Sequence, residues 1–390
     1  MVKSIDISEG NNRLPSIDIL RGLVMIIMAL DHVREFFSYT SFRATDVTQT
    51  SVLLFFTRWI THLCAPTFVF LSGISIYLYF NKIGDLRKTS VFLITRGFWL
   101  IAVEVFIISF ILTQGYQLTL LEVIWTMGCS MILLSGLIWL PRWFQLGLSL
   151  VMIAGHNALP PIGEVSSANL LLALLHNSPF FIVNPPILVA YTIIPWVGVM
   201  LLGYVIGSWF IHLPQQRDTF LLRLGIVALI FFIALRSVNI YGDPSPWDIQ
   251  ERGGVYTLLS FVNVTKSPPS LLFLSVTLGI ACLLLVLANK VSVSLKQILM
   301  TYGRVPFFFF IVHLAVISAS SYAWTYLSFG KALNLSFTPA KDWPAGYEPS
   351  LWRTYMVWLA LVVVLYFPCR LYAQYKSKKQ SLVGVLFINV

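Results

Sequence analysis

Long apolar runs alternate with short polar segments along the whole chain. The runs fall at about 15–38, 52–80, 90–112, 119–139, 143–158, 187–211, 218–238, 270–289, 296–328 and 351–374. Most approach the ~20 residues that a helix needs to cross a bilayer. Segments of about ten residues with alternating polarity are missing, which argues against a membrane barrel. The pattern predicts an all-α, polytopic integral membrane protein with about ten transmembrane helices.

The polar segments divide the chain further. Pro66 lies inside the second run, where its missing N–H and its ring bend a helix. Residues 160–186 hold two Pro-Pro pairs and read as a loop, with a short helix at 169–176. Residues 239–254 are the richest in turn formers, and a long polar segment, 329–350, precedes the last run. We read a cytoplasmic N-terminal segment (1–14), a transmembrane domain (15–374) and a basic cytoplasmic tail (375–390).

One run differs from the rest. Asp18, Arg21, Met25, Met28, His32 and Glu35 recur three or four residues apart, which places them on one narrow helix stripe. Arg21 and His32 are about three turns apart, ~16 Å along the axis. An ion pair near a membrane surface thus shares a face with a titratable base. Ionisable groups inside spans are costly, about 2.5–3.5 kcal/mol on insertion scales, so they face cavities or each other.

Composition supports a membrane protein. Of 390 residues, 57% are hydrophobic and 11% are charged, against ~25% charged in ordinary soluble domains. The net charge of +10 would suggest nucleic acid in a soluble protein. Here the basic residues cluster between apolar runs, so topology explains them and no nucleic-acid partner is expected. With both termini in the cytoplasm, the inner segments collect Lys3, Arg13, Lys82, Arg87, Lys88, Arg142, Arg217, Arg223, Lys290 and Lys296. The outer loops mix few basic residues with Asp243, Asp248, Glu251, Asp342 and Glu348. The four cysteines lie in apolar runs without a CxxC pair, so neither a disulfide framework nor a zinc site is implied. The first run starts late, contains Arg21 and lacks a small-residue cleavage site, so it does not read as a cleavable signal peptide.

In this topology Asp31 and His32 lie in the outer half of the first span. Arg58 and His62, four apart, lie in the outer half of the second, and His313 lies past the midplane of the ninth. Three histidines on three helices at similar depth suit proton transfer. Each has a plainer reading. Asp18–Arg21 is also an ordinary helix-end ion pair. Arg58 can snorkel to the interface. His62 can satisfy carbonyls freed by Pro66, and His313 can serve as a helix–helix hydrogen bond. His156, His176 and His212 sit at span ends or in loops. No HxxxH or HExxH spacing supports a metal site, and none is expected.

The stretch SIDILRGLVMIIMALDH (16–32) resembles the first helix of the transmembrane acyltransferase superfamily. That group joins the heparan-α-glucosaminide N-acetyltransferase catalytic family to the bacterial acyltransferase-3 family. The spacing from Arg21 to His32 is similar to the acyltransferase-3 signature. PTFVFLSG (66–73) and RGFWL (96–100) look more like bacterial relatives of the heparan enzyme. GRVPFFFFIVH (303–313) resembles a late Gly…Tyr…His helix of the group, with Phe in place of Tyr. One departure concerns the base. In the heparan enzyme an Asn aligns with His32 and the catalytic His lies in the loop that follows. This chain has no His between 33 and 61. A catalytic role for His32 therefore rests on the acyltransferase-3 pattern.

The resemblance implies transfer of an acetyl or other acyl group from cytoplasmic acetyl-CoA or another acyl-CoA to an outward-facing glycan or small acceptor. Arg21, Arg87, Lys88, Arg96, Arg142 and Arg304 are expected at the cytoplasmic surface, where arginine grips phosphate with bidentate bonds. His32, with Asp31, His62 and His313 as companions or substitutes, is the expected catalytic group. Membrane lipids surround the domain, a bacterial inner membrane is the expected location, and a homodimer is open. The rival reading is a proton-coupled transporter or permease, which also uses intramembrane His, Asp and Arg. Transporters usually repeat their broken helices in two halves, and only one break, near Pro66, is visible here. A third reading is a non-catalytic membrane scaffold.

Overall fold

The computed structural model describes residues 14–160 and 162–382. The N-terminal segment up to Arg13 and the tail beyond residue 382 lie outside the described residues.

The chain is mostly helical. In order, the helices are α1 (Pro15–Phe37), α2 (Val52–Ile83), α3 (Leu86–Thr113), α4 (Val123–Leu137), α5 (Arg142–Gly155), α6 (Leu170–His176) and α7 (Ile194–His212). Then come α8 (Arg217–Val238), α9 (Gly254–Val262), α10 (Leu271–Lys290), α11 (Val293–Gly303), α12 (Pro306–Phe329) and α13 (Leu351–Leu382). Seven of these, α2, α3, α7, α8, α10, α12 and α13, are long and apolar enough to cross a membrane. They mark an integral membrane protein. Helix α4 is apolar but shorter. Helix α1 has the length but carries Asp18, Arg21, Asp31, Arg34 and Glu35.

Local chemistry sets the boundaries. Pro15 opens α1, where its missing N–H costs nothing. The Ser51 hydroxyl accepts the Leu54 N–H and starts α2. Helix α2 tightens to a 3₁₀ turn at Ile60–Leu63, just before Pro66. The proline cannot donate to the preceding turn, so the break falls there.

Three predicted runs, 296–328, 119–139 and 187–211, differ in the structure, and one helix lies outside all of them. The 296–328 run is two helices, because Pro306 disfavours α geometry in the residue before it, and Val305 adopts φ −131°, ψ 46°. The 119–139 run begins as strand β1 (Thr119–Leu121), which pairs parallel with β3 (Ile187–Val189). Strand β2 (Phe180–Ile182) completes the sheet antiparallel to β3. Backbone pairing with a distant segment overrides the apolar run there. Helix α9 follows the turn-rich 239–254 stretch, and the predicted spans leave it out.

Helix α1 is the hub: it contacts α2, α10, α11, α12 and α13. Its crossing with α11 is backbone-close. A Cβ on Gly22 would meet the Leu299 carbonyl oxygen at 1.9 Å, and one on Gly303 would meet the Asp18 carbonyl oxygen at 1.8 Å. Small residues permit such approach where helices pack without a hydrophobic drive. The outer surfaces of α3, α8 and α13 expose Phe98, Phe106, Ile230, Val364 and Phe367, as a lipid-facing wall would.

Candidate active site

A cavity of 880 Å³ runs along the charged stripe of α1. Arg21, Ser72 and Arg96 line one end; His32, Asp31, Arg58, His62 and Cys64 line the middle. Glu35, Glu122, Tyr191 and Lys266 lie toward the other end, with Tyr39, Arg43 and Asp46 beyond α1 at the mouth. The reach from Arg21 to Glu35 is about 21 Å along the helix. Five of the six stripe residues line this space; Asp18 does not.

His32 and His313 form the centre. His32 Nδ1 lies 2.8 Å from His313 Nε2, and the rings stack at 5.1 Å. His313 is fully buried, and its Nδ1 lies 2.8 Å from the Phe309 carbonyl oxygen. A carbonyl only accepts, so His313 Nδ1 carries the hydrogen and donates. In a neutral ring Nε2 is then an acceptor. His32 Nδ1 must therefore be the donor of the pair, which leaves His32 Nε2 with a free lone pair. His32 is half-buried and lines the cavity, whereas His313 lies behind it.

Asp31 is held by arginines, not aimed at the His32 ring. Its Oδ1 accepts from Arg34 Nε at 3.1 Å and Nη2 at 3.0 Å, and its Oδ2 faces Arg58 Nη1 at 3.4 Å. Arg58 also donates to the Thr61 hydroxyl, and Arg34 to Glu35 at 3.2 Å. Buried charges are stable only in such paired networks. His62 lines the cavity with its ring edge against Phe273.

Two of the predicted phosphate ligands reach the cavity. Arg21 donates to Ser75 Oγ at 2.9 Å and faces Asp18 and the Gly303 carbonyl. The Arg96 guanidinium lies 4.2 Å over the Trp99 ring and 5.7 Å from the Phe307 ring, an arrangement of two cation–π contacts. Arg87 and Lys88 are exposed at the start of α3, outside the cavity lining. Arg304 sits at the break between α11 and α12, where its carbonyl accepts from Lys376. Arg142 stacks on Tyr77 and is likewise off the lining. Among the described residues no three of His, Cys, Asp and Glu converge on a metal position.

Sequence reading missed Lys266, Tyr191 and Glu122. Lys266 lies 5.5 Å from the Tyr191 ring and acts electrostatically on His32 and Asp31. A single lysine in a turn-rich loop has no periodicity to reveal it. Its placement comes from Arg236, which is 2% exposed and donates to the carbonyls of Phe261, Ser245, Ser260 and Asn263. Asp243 pins the same loop through Thr265 and Ser270. Glu104, buried in mid-span, accepts from the Glu122 N–H at 3.1 Å and so fixes the entry to α4. Outside the spans, hydrogen bonds from Thr48 hold the Asp46 carboxyl below its ordinary value.

A family model described as "Heparan-alpha-glucosaminide N-acetyltransferase, catalytic" matches residues 13–242. His32 and His62 lie inside the matched residues; Lys266 and His313 lie beyond them. No curated protein matches the chain.

Proposed function

Because the chain belongs to the heparan-α-glucosaminide N-acetyltransferase catalytic family, we propose that it moves an acyl group, acetyl above all, from acyl-CoA in the cytoplasm to an outward-facing sugar or small acceptor. The phosphates of the donor meet Arg21 and Arg96 at the inner end of the cavity, where arginine offers charge-assisted bonds. Arg87, Lys88 and Arg304 contribute attraction from the surface. The thin pantetheine arm follows the α1 stripe toward His32. The acceptor enters from the end lined by Glu35, Glu122 and Lys266.

His32 Nε2 takes the proton of the acceptor hydroxyl or amine as that atom attacks the thioester carbonyl. A bond from acceptor to acyl carbon forms and the carbon–sulfur bond breaks. The thiolate of CoA then takes the proton from His32. His313 acts as orienter: it fixes the tautomer of His32 and accepts a hydrogen bond from the imidazolium while the proton resides there. The buried Asp31–Arg34–Arg58 network surrounds this position with fixed charges. The observation that carries the reading is the hydrogen bookkeeping of the His32–His313–Phe309 chain, which leaves a free lone pair on His32, a residue that lines the cavity.

The arrangement of the domain follows: about ten crossings, counting α1, α4, α5 and the α11–α12 pair with the apolar helices. Both termini are cytoplasmic and the membrane is a bacterial inner membrane, with a homodimer as an assembly option. Residues 1–14 and 375–390 flank the catalytic domain. The test is transfer of a radiolabelled acetyl group from acetyl-CoA to a panel of amino sugars and hydroxyl acceptors by purified protein. Label should appear in the acceptor, and unlabelled free CoA should be released in equal amount. Uptake of an acceptor into proteoliposomes without acylation would favour the permease.

A further inference from the structure

His156 and His176 form a second histidine pair, in the outer segments and off the cavity lining. His156 follows the end of α5 and His176 ends α6; they are 3% and 5% exposed. Their Nδ1 atoms lie 3.4 Å apart, with the rings edge to face. His156 Nε2 lies 3.0 Å from the Pro269 carbonyl oxygen, and His176 Nε2 lies 3.1 Å from the Pro160 carbonyl oxygen. Carbonyls only accept, so both Nε2 atoms carry hydrogens. Two neutral rings then turn two Nδ1 lone pairs toward each other. The two carbonyl contacts and the ring–ring contact need three hydrogens, and two neutral imidazoles bring only two. An imidazolium beside an imidazole brings three. In the His32–His313 chain the same count closes with neutral rings, which sets the two pairs apart.

The pair joins the walls of the cavity mouth. Pro269 ends the loop whose Asn263, Thr265 and Lys266 line the cavity. His176 stands just before Pro179, which lines it from the other side. Next to His156, Asn157 Oδ1 accepts the Leu271 N–H at 2.7 Å. We propose that His156 and His176 are a proton-operated clamp on the outer mouth. One shared proton draws the end of α5, the end of α6 and the Lys266 loop together, and its loss loosens them.

The sign follows from linkage. A pair that binds its proton more tightly closed than open is closed below the closed-form pKa and opens as pH rises through it. Burial pushes His156 down from its ordinary value, and the Pro269 carbonyl acts upward. His176, the titratable group that acts on His156, opposes a second proton. Burial leaves His156 lowered on balance, and the sign rests on geometry: the loosened pair keeps that burial but loses the hydrogen shared between the two Nδ1 atoms, so the proton is held more tightly closed than open. Among the described residues no further histidine, cysteine or carboxylate joins the pair to make a metal site.

The experiment uses the full chain in lipid with ¹⁵N-labelled histidine, titrated from mildly acidic to alkaline pH. Both Nε2 atoms should stay protonated throughout, while one Nδ1 gains a hydrogen on the acid side. Amide exchange across 263–270 should then slow by about ten-fold, the size of one charge-assisted hydrogen bond. His176→Gln, whose amide supplies two hydrogens, should keep exchange slow at every pH. His176→Ala should leave it fast at every pH. Neutral rings with bare Nδ1 atoms across the whole range would overturn the clamp. Histidine signals that move on adding a chelator would overturn it in favour of a metal ion. The readouts involve no acyl transfer, so they stand or fall apart from the proposed reaction.

Discussion

At the residue scale, the chemistry rests on which nitrogen carries which hydrogen. The sequence placed His32, His62 and His313 at one depth, because helix direction and rise suffice for that. It did not show that His32 meets His313, which depends on how α1 and α12 rotate against each other. Nor did it show that Arg34 and Arg58 would take Asp31, since Arg34 reads as one more helix-end charge. The His313–Phe309 bond makes a sharp expectation. His313→Ala should lower kcat at least ~10-fold with little change in KM, because an orienter acts through the base it holds. His313→Gln, which can still accept from His32 Nδ1, should recover part of that loss. Equal kcat in wild type and His313→Ala would remove the orienter role. For the donor, Arg96→Ala should weaken CoA binding about ten-fold or more, one charge-assisted contact, while circular dichroism in detergent stays unchanged. Unaltered affinity in a calorimetric titration would take Arg96 out of the site.

At the element scale, the broken helices carry the site and were partly legible. Pro66 announced its break, and the 3₁₀ turn before it brings His62 to the cavity lining. Pro306 lies inside an apolar run that reads as one helix; apolarity reports the membrane, not helix continuity. The sheet of β1, β3 and β2 was invisible because three-residue strands leave no periodicity. The α1–α11 crossing was equally hidden, since a glycine in an apolar helix has no mark of its own. Gly303→Ala would drive a methyl into the Asp18 carbonyl. Such overpacking costs about 1–3 kcal/mol or more, so detergent melting should drop by several degrees. Gly136→Ala, with open space at its Cβ, is the control and should melt like wild type. Equal melting of Gly303→Ala and the control would mean that the crossing tolerates separation.

At the scale of the whole molecule, composition and run length were enough to give a membrane helical protein, because lipid leaves few ways to satisfy a backbone. The number of crossings was harder. A charged α1 and a short α4 are central to the cavity yet fail the simple test of length and apolarity. The proposed topology expects thiols engineered at 81–89 to be shielded from an impermeant reagent on intact cells, and thiols at 243–253 to react. Labelling of 81–89 from outside would invert the orientation and with it the side from which the donor enters. The proposed reaction depends on His32 Nε2 as the base. The most direct measurement compares acetyl transfer and acetyl-CoA binding by wild type, His32→Ala and His32→Gln in one preparation. General-base catalysis contributes about 10²–10⁴-fold, so both variants should lose that much turnover while they bind acetyl-CoA as wild type does. Near-normal transfer by His32→Gln, which hydrogen-bonds but cannot cycle a proton, would contradict it.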